Sequence, residues 1–250
     1  MLQIGLKMWS VNTDIFPQAL DAIRSGIFQF IELTPIPGTD ITPYVNADVN
    51  YLIHIPPPDK YGMNLADSSK SDANLQLLDW CSQCADLLHA THIILHTGHG
   101  FREAVDNFLQ EISDSRIVLE NMTRYDTNRG DMVGYLPEEV AELLGGKFGF
   151  CLDVSHAIKT ALILGKDYWE FLDDFLPLNP KVIHLSDAPL TNDVDEHLNI
   201  GAGDYDWPRL LGYVQRCQNS LITLETPRQA GTLEPNIAEA DYLRSLDSLA

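Results

Sequence analysis

Basic residues are scarce in this chain: 16 Lys and Arg stand against 36 Asp and Glu, a net charge of −20 over 250 residues. A surface so acidic repels polyanions at long range and offers little counterion release, which disfavours DNA as a partner. Cysteine is also sparse, at four residues. Cys81 and Cys84 form a lone C-x-x-C inside a segment of helical periodicity, which points to a buried helix face rather than a redox or zinc pair. No apolar run approaches the roughly 18 residues that span a bilayer, and the start MLQIGLKMWS lacks a charged region followed by a long apolar one. The expectation is a cytoplasmic protein without membrane contact. The glycine-rich turn G-x-G-x-x-G of an open dinucleotide-binding sheet is missing as well.

What the sequence does contain is a repeated alternation. Eight short runs rich in Ile, Val, Leu and Phe cover residues 2–9, 28–35, 52–56, 92–98, 116–122, 148–156, 181–188 and 221–226. Most are separated by amphipathic stretches such as IFPQALDAIRSG, FREAVDNFLQEI, LPEEVAELLGG and WPRLLGYVQRC. The link after the second run, PIPGTDITPYVNA, carries no convincing helix. Eight strands with helical crossovers in about 250 residues predict one domain, residues 1–250, folded as a (β/α)₈ TIM barrel.

From the second run onward each strand ends in a group that an apolar strand has no packing reason to carry: Glu32, His54, His96, Glu120, Asp153, His184 and Glu225. Parallel barrel strands bring all their C-terminal ends to one rim, so these residues should meet. Ser, Thr, Asn or Gly would serve equally well if the chain merely had to emerge into water. His156, in D-x-x-H with Asp153, and the pair Asp195 and His197, in D-x-H, extend the set. Mixed imidazoles and carboxylates suit zinc, manganese or ferrous iron. Apart from Glu32, these make nine candidate ligands, more than one ion of four to six coordination can use, so two or three ions are expected.

These motifs, IHIPPP with NLADSS, ILHTG, LEN, LDVSHA, HLSD, DEHLNIGAG and LET, resemble endonuclease IV of the xylose isomerase-like barrel superfamily, in order from about residue 28 to 226. The resemblance implies a first metal on His54, His96 and Glu120, and a second on Glu120, Asp153, His184 and Glu225. A third would sit on His156, Asp195 and His197. It also implies zinc as the first choice of metal, catalytic roles for Glu120, Glu225 and His156, and attack of a bridging hydroxide on a phosphodiester.

The acidity of the chain turns the expected substrate toward a small anionic or sugar-like molecule. Lys60, Lys70, Arg102, Arg124, Arg129, Lys159 and Arg228 are expected in loops on the metal-bearing face, with Glu32, His99, Arg102 and Arg124 as substrate contacts and Tyr125 as another that could touch it. His89 and His92 read as structural, and Gly201 and Gly203 as a tight turn. The favoured activity is phosphoester hydrolysis by metal-activated water. The alternative is a sugar isomerase or epimerase with one metal on Glu120, Asp153, His184 and Glu225. Less favoured are a multinuclear iron oxidase and a non-catalytic metal-binding protein.

Overall fold

In the computed structural model, which describes residues 2–56, 61 and 63–247, eight parallel strands close a barrel in sequence order. They are β1 (Ile4–Trp9), β2 (Phe30–Thr34), β3 (Tyr51–His54), β4 (Ile93–Leu95), β5 (Ile117–Glu120), β6 (Gly149–Asp153), β7 (Val182–Leu185) and β8 (Leu221–Leu224). The helices are α1 (Phe16–Arg24), α2 (Thr42–Val45), α3 (Ser71–Leu87), α4 (Arg102–Glu111), α5 (Pro137–Leu144), α6 (Val154–Leu164), α7 (Tyr168–Asp173), α8 (Trp207–Arg216) and α9 (Glu234–Asp247). No helix among the described residues is long and apolar enough to cross a membrane.

The period of two along each strand sorts side chains between two cores. Ile31, Leu33, Ile53, Leu95, Leu119, Leu152, Leu185 and Leu224 face outward and join helical residues such as Leu78, Phe108, Leu143, Ile158 and Leu210 in the larger cluster. Phe30, Leu52, Ile94, Val118, Cys151 and Val182 form a separate cluster inside the barrel, with Leu221 against it. The strand that offers least volume there is β1. A Cβ on Gly5 would lie 2.1 Å from the Phe30 ring, so this position must be glycine for the ring to cross the interior.

Two of the expected boundaries shift. The sixth run stops as a strand at Asp153, and α6 begins in the next residue, so His156 stands in the first helical turn instead of on a strand. Asp153 causes the switch: its side chain caps the helix, Oδ1 accepting from the His156 amide at 2.7 Å. The link after β2 contains the short helix α2, entered through Pro43 at its first turn. Cys81 and Cys84 lie buried on α3 as free thiols, and burial pushes the Cys84 thiol up to about 12.

Candidate metal centre

Two residues beyond each member of the inner apolar cluster, the same inward direction carries a polar group: Phe30 is followed by Glu32, Leu52 by His54, Ile94 by His96, Val118 by Glu120, Cys151 by Asp153 and Val182 by His184. Contacts between strands that are not neighbours run through this interior. Glu32 on β2 accepts from His184 Nε2 of β7 at 3.0 Å and from Thr223 Oγ1 of β8 at 2.6 Å.

Glu120 is the hub. Its Oε2 lies 3.0 Å from His96 Nε2 and 3.5 Å from His54 Nε2, and its Oε1 lies 3.4 Å from His184 Nδ1 and 3.5 Å from His156 Nδ1. On the far side His184 Nδ1 is 2.8 Å from Glu225 Oε2. A second knot adjoins it, where Asp195 Oδ2 stands 3.2 Å from His156 Nε2 and 2.6 Å from His197 Nε2. Ligand atoms of His54, His96 and Glu120 approach within 4.8 Å of one another, as do those of Glu120, Asp153, His184 and Glu225, and those of Asp153, His156 and His197.

The outer nitrogens of three imidazoles are committed. His54 Nδ1 meets the Ile55 carbonyl at 2.9 Å, His156 Nδ1 meets the Asn121 carbonyl at 2.8 Å, and His184 Nε2 meets Glu32. Each bond orients its ring and, once the ring is neutral, leaves the other nitrogen to face the cluster with a lone pair. Several of the remaining atoms have no hydrogen-bond partner although buried: His54 Nε2, His184 Nδ1, Asp153 Oδ2 and Glu225 Oε2. His184 Nδ1 and Glu225 Oε2 are close, yet their angle does not make a hydrogen bond, as befits two donors of electron pairs aimed at a common point. Orphaned buried atoms of this kind are costly unless a cation collects them, so the donor set fits divalent ions.

The electrostatics agree. Burial alone would raise Glu120 and Glu225, but His184 and His96 beside the first, and Lys7 and His184 beside the second, hold both well below the usual carboxylate range. Burial alone would lower His197, whereas Asp195 carries it up to about 9. Asp153, pushed up by burial and by its acidic neighbours, reaches about 6. Acidic neighbours raise His156 and His184 as well, so protons on these three imidazoles balance the carboxylates in the metal-free chain, and a divalent ion would displace them. The backbone shows matching strain, for His197 occupies the left-handed region at φ 49°.

Asp187, buried at the end of β7, holds the loop that presents Asp195 and His197. Its carboxylate accepts from the Gly201 amide at 2.8 Å and from Trp207 Nε1 at 2.8 Å, and a Cβ on Gly203 would fall 2.3 Å from its Oδ1. The I-G-A-G-D segment is therefore a turn wrapped on an acid, as the tight-turn expectation has it. Ser155 Oγ donates to Asp195 at 2.8 Å and fixes the loop from below.

Several expected substrate contacts lie elsewhere. Glu32 is fully buried, with its carboxylate occupied by the candidate ligand His184 and by Thr223. Arg102 turns outward to Asp106 of its own helix at 2.8 Å and to Glu142 of α5 at 3.2 Å. Arg124 stacks on Tyr125 and Tyr135 and pairs with Asp131. Lys159 is buried on α6, its ammonium donating to the carbonyls of Pro189 and Asn192. Lys60 lies outside the described residues.

His99, Tyr125, Lys70, Arg129 and Arg228 do line the cavity above the cluster, whose volume is about 650 Å³. Its walls include Trp9, Met122, Met132 and Val194. Arg129, after β5, reaches Asp193, after β7, with a two-pronged ion pair of 2.6 and 3.1 Å that ties two wall loops together.

Sequence reasoning passed over Lys7. This β1 residue points inward beside the cluster, with its ammonium on Glu225 and 3.6 Å from Glu32. Its signal was a lysine between Leu6 and Met8 within an apolar strand, at the parity that Gly5 shares.

A sequence model of xylose isomerase-like TIM barrels matches residues 44–249. The chain is 25% identical over 199 residues to a probable endonuclease 4 of Mycoplasma mobile, covering 71% of this chain and 69% of that one. Among solved structures, endonuclease IV from Thermus thermophilus superposes with a TM-score of 0.76 at 20% identity, covering 99% of this chain and all of the other. An L-ribulose 3-epimerase gives 0.72 at 14% identity, covering 100% and 94%. Likeness at these structural identities establishes the fold.

Proposed function

Because this chain belongs to the xylose isomerase-like TIM barrel family, we propose that its rim cluster holds two or three divalent ions, zinc foremost with manganese or iron as substitutes, and hydrolyses a phosphoester of a small molecule. His54, His96 and Glu120 would hold the first ion, and Glu120, Asp153, His184 and Glu225 the second. His156, Asp195 and His197 would hold the third. Bound together, such ions supply a water of lowered pKa and offset charge on phosphoryl oxygens.

The chain's own residues prepare that chemistry. Glu120, shared by the first two sets, would bridge them, Glu32 and the Asn121 carbonyl orient His184 and His156, and Lys7 holds Glu225. The Arg129–Asp193 tie and the net charge of −20 favour a small substrate over duplex DNA.

One observation carries the multinuclear reading: Asp195 and His197 come from a separate loop yet meet His156 beside the other sets. A one-metal sugar epimerase uses the second set alone, which is complete within 4.8 Å and which keeps that reading as the alternative. Ion counting and kinetics on His197→Ala separate the two. The hydrolase loses one ion per chain and orders of magnitude in turnover on phosphoesters. One ion in the wild type, with nearly unchanged catalysis in the variant, is the epimerase outcome and refutes the hydrolase.

A further inference from the structure

Of the cations that line the cavity, Lys7 is spent on Glu225 and Arg129 on Asp193. Arg228 is different. Its Nη1 donates to the Lys7 carbonyl and its Nη2 to Asn12 Oδ1 at 2.7 Å, while the same Asn12 oxygen accepts from the Trp9 amide at 2.9 Å. No carboxylate among the described residues lies within ion-pair distance of it; Asp14 acts on it only from farther away. The guanidinium is thus half-buried, held by neutral acceptors and charged at every ordinary pH. Two of its five N–H groups are accounted for by these bonds.

Lys70 also lines the cavity without an acid partner, but no hydrogen bond among the described residues holds its ammonium in place. In a chain with more than twice as many acids as bases, a fixed and uncompensated guanidinium on a cavity wall calls for an anion supplied from outside. Neutral anchors leave its full charge to the ligand, and the planar fork suits two oxygens of a tetrahedral oxyanion.

We propose that Arg228 is a substrate-binding residue that grips a phosphate-type oxyanion of a small phosphorylated molecule, beside the β1 and β8 edge of the candidate metal centre. The identity of that substrate class rests on the phosphoester reading above, whereas the anion site itself does not. Trp9 and Pro227, on the same cavity wall, would flank the carbon part of such a molecule.

The test titrates inorganic phosphate into the metal-loaded wild type and into Arg228→Met by calorimetry, with ions per chain counted on the same samples. The variant should bind phosphate about tenfold to a hundredfold more weakly with its ion count unchanged. Arg228→Lys should recover part of the loss, because it restores charge without the fork. If Arg228→Met fails to fold, Arg228→Gln and Arg228→Lys give the same comparison. Unchanged phosphate affinity in the variants, or no phosphate binding by the wild type, overturns the proposal. Turnover is read separately: phosphate binding that depends on Arg228 in a wild type that cleaves no phosphoester leaves the anion site standing and removes the hydrolase reading.

Discussion

The barrel interior is two rings built on the same eight strands with opposite chemistry. The lower ring, Phe30, Leu52, Ile94, Val118, Cys151 and Val182, is apolar, and its members pack as one buried cluster. The ring two residues above it is imidazole and carboxylate, with ligand atoms left unsatisfied. A strand advances about 3.3 Å per residue, so the two rings are separated by only about 7 Å. Cys151 marks the border: its sulfur lies within reach of Glu120 and His184, yet it packs in the apolar ring, where burial pushes its thiol far up. Burial in the lower ring stabilises the fold, while the same degree of burial in the upper ring leaves a deficit that ligands can fill.

Metal removal should expose that asymmetry most. With two ions each at a thousandfold above their dissociation constants, the loaded protein gains about 8 kcal/mol over the chelated one. Calorimetric melting with a chelator and then with zinc restored measures it, and identical melting temperatures would show that the upper ring is self-sufficient. Next in size is Phe30→Ala, which empties the centre of the lower ring and should cost about 3–5 kcal/mol. The loss should be equal in loaded and chelated protein, with the ion count unaltered; a lost ion would mean that the rings are not independent. Smallest is Glu32→Gln, which keeps a partner for His184 but removes its charge. Zinc affinity at the second position should fall about tenfold to a hundredfold, read by competition with a chromophoric chelator. An unchanged affinity would make Glu32 a packing residue only.

Much of this was legible from the chain because one rule, a strand followed by a helix, repeats eight times and sends every strand end to one rim. His54, His96, Glu120 and His184 follow from that rule alone. His156 was read as lying just past the sixth strand's end, but nothing in LDVSHA announces that a helix starts there, with Asp153 both an inward-facing side chain and its cap. The basic residues were the least legible. Arg102 starts a helix, Arg124 lies in a loop and Lys159 stands in mid-helix, yet local acids, aromatic rings and carbonyls claim them. Long side chains take their direction from neighbours that no periodicity reveals. Lys7 escaped because a search that asks what ends each strand does not ask what lies within the first one.

The Lys7–Glu225 contact has a meaning for how the chain assembles. It spans 218 positions and joins the first strand to the end of the last, so it can form only when β8 docks against β1 and the cylinder shuts. The second ligand set likewise waits for Glu225. Loop-closure entropy makes such distant pairings late events in folding, and no shorter stretch of chain contains them. An ion held by the second set would therefore bind only after closure, as a latch that slows reopening and not as a nucleus for the barrel.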